Sequence, residues 1–166
     1  MFRALRIAHG LREAGFAVHL VQGGVPVPGL DVTGLNVIQL FPLKAGPRGF
    51  SDLVTADGKP VDEAIKSQRT AGLLAAVADC RPDILLIEAF PFGRRQMRFE
   101  LMPLLEAAKM QAPRPRIVSS IRDILQESAK SERALETVET LQHFFDGVVV
   151  HGDPRLVRLE ATFPFA

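Results

Sequence analysis

The sequence predicts an α/β protein built on a Rossmann-like, doubly wound parallel sheet, and two observations carry this prediction. Short apolar runs alternate with segments whose apolar residues recur at helical spacing. The helical segments are about ten to twenty residues long, as in the crossovers between parallel strands. Strands are predicted at residues 16–21, 36–40, 84–88, 116–120 and 147–151, and helices at residues 2–14, 61–79, 95–110, 131–143 and 155–161.

One stretch shows the strand-loop-helix pattern most clearly. The run Ile84–Glu88 lies between Arg-Pro-Asp and Phe-Pro-Phe-Gly, which is typical of a strand buried on both faces of a parallel sheet. The helix after it is marked by apolar residues at helical spacing, namely Met97, Leu101, Leu104, Leu105 and Ala108. Because Gly93-Arg94-Arg95 opens this helix, we expect two guanidinium groups at its N-terminus.

The N-terminal part of the chain follows the same alternation with one interruption. Gly15 ends the first helix, and the first strand runs into a turn at Gln22-Gly23-Gly24. Residues 41–59 are expected to be irregular because they contain several Gly and Pro and show no sustained period. The next helix carries Asp62 and Glu63 in its favourable first turn.

The C-terminal part contains two further helices. Leu135, Val138 and Leu141 mark the expected buried side of the helix at residues 131–143. The last strand is followed by Gly152-Asp153-Pro154, and Pro at a first helical position predicts a short helix at residues 155–161.

Composition excludes several classes of protein. The 166 residues are 47% hydrophobic, enough for a globular core, and a net charge of +1 gives no electrostatic reason to expect nucleic acid. The single Cys80 excludes an internal disulfide, and we interpret it as a half-buried structural thiol in a reducing, cytoplasmic compartment. No apolar run has the length of a membrane span, and neither a zinc-ligand spacing nor a dinucleotide or P-loop glycine motif occurs.

Polar residues lie at or just after the carboxyl ends of several predicted strands. In a parallel sheet these ends form one edge. Glu88 is followed by Arg94 and Arg95, Ser119 and Ser120 by Arg122 and Asp123, and His151 by Asp153. Gly23 and Gly24 join this edge if their strand is parallel to the others. Ligands of open α/β sheets bind outside the carboxyl ends of the strands. The predicted substrate-binding residues are therefore Gly23, Gly24, Glu88, Arg94, Arg95, Arg122, Asp123 and His151, and no metal site is predicted.

Several of these residues, and two neighbouring phenylalanines, also have a structural interpretation. Glu88 could bind a ligand hydroxyl or assist proton transfer, or it could form an ion pair with Arg94 or Arg95 or cap the helix. Asp123 could line the cleft or act as a helix N-cap, and His151 could be a satisfied structural group. Phe90 and Phe92 could stack on a sugar ring or a lipid, or they could fix the start of the helix to the sheet.

Four segments carry a resemblance to a known family: RALRIAHGLREAGFAVHLVQGG, RPDILLIEAFPFGRRQMRFELMPLLEAA, IVSSIRDIL and VVVHGDPRLVRLEATFP. Together they resemble the N-terminal half of predicted family-28-like bacterial glycosyltransferases of the two-Rossmann-domain (GT-B) superfamily. This group is related to the enzyme that adds N-acetylglucosamine to the lipid-linked peptidoglycan precursor. The second and fourth segments are the distinctive ones, and the match covers nearly the whole chain.

The resemblance implies that residues 1–166 form a single acceptor-side domain of a hexosyltransferase. The first, central strand and the Gly-His loop of the relatives would precede Met1, and the C-terminal donor domain would follow Ala166, so the fragment alone is expected to be inactive. A nucleotide-sugar would be the co-substrate, with no other cofactor. The acceptor would be a sugar or a lipid-linked sugar, which allows peripheral membrane contact, and the catalytic base stays unassigned.

A second hypothesis comes from a different class of protein. The chain would be a non-catalytic α/β module that binds a small anion through Arg94 and Arg95, or a subunit that pairs with a separate donor domain.

Overall fold

The computed structural model describes residues 2–122, 131–153, 155–161 and 163, which fall into two compact units. The first comprises Met1–Arg81 with Phe99–Leu104, and the second comprises Pro82–Arg98 with Leu105–Ala166. The chain combines helices with sheets that contain parallel strands, which confirms the predicted α/β class. The described strands form two three-stranded sheets, one in each unit, and the all-parallel sheet of the second unit, accompanied by helices, is compatible with a Rossmann-like fold.

The first unit holds a mixed sheet and two long helices. In chain order its elements are α1 (Phe2–Glu13), β1 (His19–Gly24), β2 (Asn36–Gly46), β3 (Gly49–Thr55) and α2 (Glu63–Cys80). The sheet order is β1-β2-β3, in which β2 lies parallel to β1 and antiparallel to β3. Residues 41–59 are therefore not irregular as predicted, since β2 continues through Pro42 and a tight turn at residues 47–48 leads into β3, which begins at Gly49 with a φ of 82°.

The second unit holds an all-parallel sheet of order β4-β5-β6. Its elements are β4 (Ile84–Glu88), a 3₁₀ turn (Arg95–Met97), β5 (Arg116–Arg122), α4 (Ser131–Phe144), β6 (Gly147–His151) and a second 3₁₀ turn (Leu159–Ala161). Helix α3 (Arg98–Lys109) belongs to both units, since Phe99–Leu104 is part of the first unit. The bounds of β4 and β6 are those predicted. The helix expected at Arg95 begins instead at Arg98, and Leu159–Ala161 is the only helical part of the helix predicted at residues 155–161.

The two faces of the second unit's sheet differ in burial. One face carries the buried Ile87, Ile117 and Ile121, and Leu105, Ala108 and Phe144 of the helices are buried in the same unit. On the opposite face Ile84 is 49% exposed and Leu86 is 38% exposed. The prediction that Ile84–Glu88 is buried on both faces is therefore wrong, because an uninterrupted apolar run does not report whether a second layer covers it.

Helix α4 buries a different face from the predicted one. Leu135 is 52% exposed, whereas Ala134, Thr137 and Thr140 are buried. Both threonine hydroxyls donate to the carbonyl four residues earlier, at Oγ1–O distances of 2.8 and 2.7 Å. A threonine whose hydroxyl donates to a carbonyl of its own helix can be buried. The buried face of α4 therefore could not be predicted from the positions of apolar residues alone.

The first unit is organised around a buried charged group, Arg69 of α2. Its side chain is 1% exposed and donates through Nε and Nη2 to the two carboxylate oxygens of Glu100, at 2.8 Å each. Nη1 donates to the carbonyl oxygens of Gly23, at 3.0 Å, and of Phe41. One guanidinium group thus links α2 to α3, β1 and β2. A bidentate pair that is also hydrogen-bonded to backbone is the arrangement that offsets the cost of burying charge.

Asp146 fixes the turn between α4 and β6 in the second unit. Its Oδ2 accepts from the backbone N–H of Ile117 at 2.7 Å, and its Oδ1 accepts from Nη1 of Arg114 at 2.9 Å. These hydrogen bonds, the Ile117 N–H first, lower the pKa of Asp146 below its ordinary value.

A lowered carboxyl pKa contributes stability that is present above the ordinary value of about 3.9 and is lost as pH falls through the folded value. We therefore expect Asp146→Asn to lower the urea midpoint at about pH 7 and to have a smaller effect at about pH 3, because the stabilisation by the carboxylate declines as the group is protonated. Asp83→Asn, at an exposed acid, is the control and should change the midpoint little at either pH. An Asp146→Asn deficit of equal size at both pH values would contradict this assignment.

Candidate functional site

The candidate site lies at the carboxyl edge of the parallel sheet in the second unit. Glu88 at the end of β4 pairs in register with Ser120 of β5, and Arg122 at the end of β5 pairs with His151 at the end of β6. Ser120 and Arg122 are two residues apart, so all four side chains project from the same face. The structure thus brings the predicted residues Glu88, Arg122 and His151 together. We call Glu88, Ser120, Arg122 and His151 the carboxyl-edge cluster.

Ser120 and His151 are the most closely associated pair in the cluster. Ser120 Oγ lies 2.8 Å from His151 Nε2, a hydrogen-bond distance. The serine is 1% exposed and the histidine is half-buried. The sequence placed Ser120 at this edge but gave it no role. The available signal was two consecutive serines inside an otherwise apolar strand.

Glu88 forms the ion pair that its structural interpretation expected. Its Oε2 lies 3.6 Å from Arg94 Nη2, and the two side chains are 25% and 49% exposed. An ion pair of this length and exposure contributes about 0–1 kcal/mol, so it can open to admit a ligand at little cost. The side chain of Arg122 is exposed and forms no hydrogen bond or ion pair with any residue in the described ranges.

Arg95 forms an ion pair with Glu136 and is not paired with Glu88 as Arg94 is. It donates to Glu136 Oε2, and Arg98 Nη1 lies 2.7 Å from Glu136 Oε1. The hydrogen bond from Arg95 is the main reason that the pKa of Glu136 is lowered. Since α3 also begins three residues later than predicted, the expected pair of guanidinium groups at one helix N-terminus does not form.

The loop after Glu88 carries unusual backbone geometry. Ala89 and Arg94 adopt positive φ angles of 67° and 55°. Residues with a Cβ atom rarely adopt this backbone conformation, because the Cβ atom comes too close to the following carbonyl oxygen. The loop is held by hydrogen bonds from Ala89 N to Ser120 O, at 2.9 Å, and from Gly93 N to Ala89 O, at 2.7 Å. Non-glycine residues in this region cluster at functional sites, because the surrounding structure must stabilise them.

The two phenylalanines of this loop pack against protein. Phe90 is fully buried, and the ring of Phe92 meets that of Phe163 edge-on, with centroids 5.0 Å apart. This packing favours the structural interpretation over stacking on a sugar.

The remaining predicted residues lie elsewhere. Asp123 is outside the described residues. Gly23 and Gly24 belong to β1 in the sheet of the first unit, so the second unit's sheet does not include them. Gly23 has a structural reason for lacking a side chain, since a Cβ atom there would overlap Nη2 of Arg69 and stand 3.1 Å from its Cζ.

Three further observations concern the described residues. They contain no group of three or more His, Cys, Asp or Glu side chains arranged to bind a metal ion. None of their helices combines the length and the apolarity needed to cross a bilayer. An open groove of about 350 Å³ in the first unit contains none of the predicted site residues and is lined by Glu63, Lys66, Ser67, Thr70, Ala71, Leu74 and Phe99.

No protein-family model, curated protein or solved structure matches this chain. The resemblance to glycosyltransferases therefore depends on the four sequence segments, and the function must be argued from the carboxyl-edge cluster itself.

Gly23 and Gly24 provide a matched pair of substitutions. We expect Gly23→Ala to lower the free energy of unfolding by about 1–3 kcal/mol, because the added methyl group displaces the guanidinium of Arg69. A Cβ at Gly24 would lie 4.0 Å from Leu43 O, so Gly24→Ala should be neutral or slightly stabilising. Urea denaturation of both variants measures the difference. Equal midpoints would show that Arg69 does not require the glycine.

Proposed function

We propose that this chain is the acceptor-binding side of an enzyme that transfers a hexosyl group from a nucleotide-sugar to a hydroxyl group. The observation that carries the proposal is the carboxyl-edge cluster, in which a carboxylate and an imidazole lie at the ends of strands that flank one central strand. Carboxylate and imidazole groups are the side chains that most often hold and deprotonate a hydroxyl. The positive φ of Ala89 beside Glu88 supports a functional role for this edge.

The proposed reaction is a substitution at the anomeric carbon of the donor sugar. The acceptor hydroxyl oxygen bonds to that carbon while the bond from the carbon to the diphosphate oxygen breaks, and the diphosphate leaves with the electron pair. The hydroxyl proton passes to His151 or Glu88. Arg122 lies at the same edge and would attract a phosphate group of a lipid-linked acceptor. By resemblance, the nucleotide-sugar would be held by a donor domain outside this chain.

The second candidate function, binding of a small anion through Arg94 and Arg95, has weaker support. Arg95 is already hydrogen-bonded to Glu136, and Arg94 lies beside the negative charge of Glu88. An anion would have to compete with both carboxylates. A neutral hydroxyl ligand meets no such competition, because a carboxylate can accept its proton in a hydrogen bond.

Titrations of the ¹⁵N-labelled chain would distinguish the two functions. The probes are methyl glycosides of glucose and N-acetylglucosamine, UDP-N-acetylglucosamine, and inorganic phosphate. We expect the glycosides to shift the amide signals of Glu88, Ser120 and His151. Glu88→Gln should abolish these shifts, because the carboxylate acceptor is lost. Glu106→Gln, at an exposed position of α3, should retain them.

The other outcomes decide against the proposal. A response to phosphate alone, centred on Arg94, would identify an anion-binding module. The absence of any shift with either glycoside would remove the acceptor-binding function.

A further inference from the structure

The hydrogen bond between Ser120 and His151 constrains the chemistry of the histidine. A neutral imidazole has one N–H donor and one nitrogen lone pair, and the partner of one nitrogen determines what the other can offer to a ligand. Here Nε2 is occupied by a hydroxyl that is 1% exposed and belongs to the central strand. Within the described ranges Nδ1 has no recorded hydrogen bond. The state of Nδ1 therefore follows from the direction of the Ser120 bond.

We propose that Ser120 is a positioning residue that holds His151 with Nε2–H donating to Ser120 Oγ, which leaves the Nδ1 lone pair for the ligand. The proposal rests on the proposed function for its purpose, and it specifies the ligand as a neutral hydroxyl group. A hydroxyl can donate its hydrogen to the Nδ1 lone pair, whereas phosphate or carboxylate oxygen would require an N–H at that nitrogen.

The charge beside Ser120 determines the direction of the bond. Glu88 is in register with Ser120 on the adjacent strand, and both side chains project from the same face of the sheet. Glu88 also forms an ion pair with Arg94, with Oε2 3.6 Å from Nη2. A serine O–H dipole beside a carboxylate is favoured with its hydrogen toward that charge, so the oxygen lone pairs are left to accept from His151.

The neighbouring serine provides a matched control. Ser119 is also fully buried in β5, but it projects from the opposite face, and its Oγ donates to the carbonyl oxygen of Phe90 at 2.8 Å. Removing either hydroxyl deletes one buried hydrogen bond from the same strand. Only the Ser120 hydroxyl contacts the histidine ring.

Nitrogen-15 spectra of His-labelled chain, recorded under alkaline conditions where imidazoles are neutral, report which ring nitrogen bears the proton. The His151→Asn spectrum identifies the His151 signals. We expect wild-type His151 to be protonated at Nε2, and we expect Ser120→Ala to change the ratio of the two tautomers while Ser119→Ala leaves it unchanged. Ser120→Ala should also raise the dissociation constant for the methyl glycosides several-fold, since one buried hydrogen bond is lost.

Protonation at Nδ1 in the wild-type chain would overturn the inference. An unchanged tautomer ratio in Ser120→Ala would overturn it as well. The Nε2–H tautomer together with no response to glycosides would leave the positioning role intact and remove the proposed function, so the two failures are distinguishable.

Discussion

The parallel register around β5 is the constraint on which the candidate site depends. β5 pairs with β4 on one side and with β6 on the other, and it carries buried polar groups toward both faces of the sheet. Ser119 fixes the loop after β4 by donating to Phe90 O, while Ser120 meets His151 of β6. Because the strands run in the same direction, residues more than sixty positions apart in the chain, Glu88 and His151, end at one edge. The two adjacent serines of the central strand thus have different roles: Ser119 stabilises the loop after β4, and Ser120 contacts the histidine of the site.

The first unit depends on buried polar groups in a different way. Removing either partner of a buried ion pair such as Arg69 and Glu100 costs about 3–5 kcal/mol, because the remaining charge is left without compensation. The hydrogen bond to Gly23 O extends this constraint to β1, where the guanidinium occupies the space of a side chain. Contact with the Arg69 guanidinium therefore explains why residue 23 of the predicted Gly-Gly turn is a glycine, without a bound ligand. Glycine permits close approach of any group, and here the approaching group belongs to the protein.

The parts of the fold that the sequence predicted are those with one strong local signal. β4 and β6 are short apolar runs between turn residues, and their bounds match the prediction. Asp62 was expected near the start of α2, and it is the N-cap of that helix. The errors arose where burial depends on distant groups. Nothing local shows that Arg69 is buried, that Thr137 rather than Leu135 faces inward, or that one face of β4 is exposed.

The same limit applies to the site. The edge was predictable from strand direction, but the engagement of Arg95 by Glu136 and the bond between Ser120 and His151 depend on side-chain positions that no sequence spacing determines.

Backbone nuclear Overhauser contacts in the labelled chain would test the shared edge most directly, since they report strand direction and register without reference to any ligand. The structure predicts cross-strand contacts that link Glu88 with Ser120 and Arg122 with His151. Contacts that instead link Arg122 with Ile84 or Gly147 would mean that the strands run in opposite directions. Glu88, Arg122 and His151 would then lie at different ends of the sheet, and the account of a common hydroxyl-binding site would be contradicted.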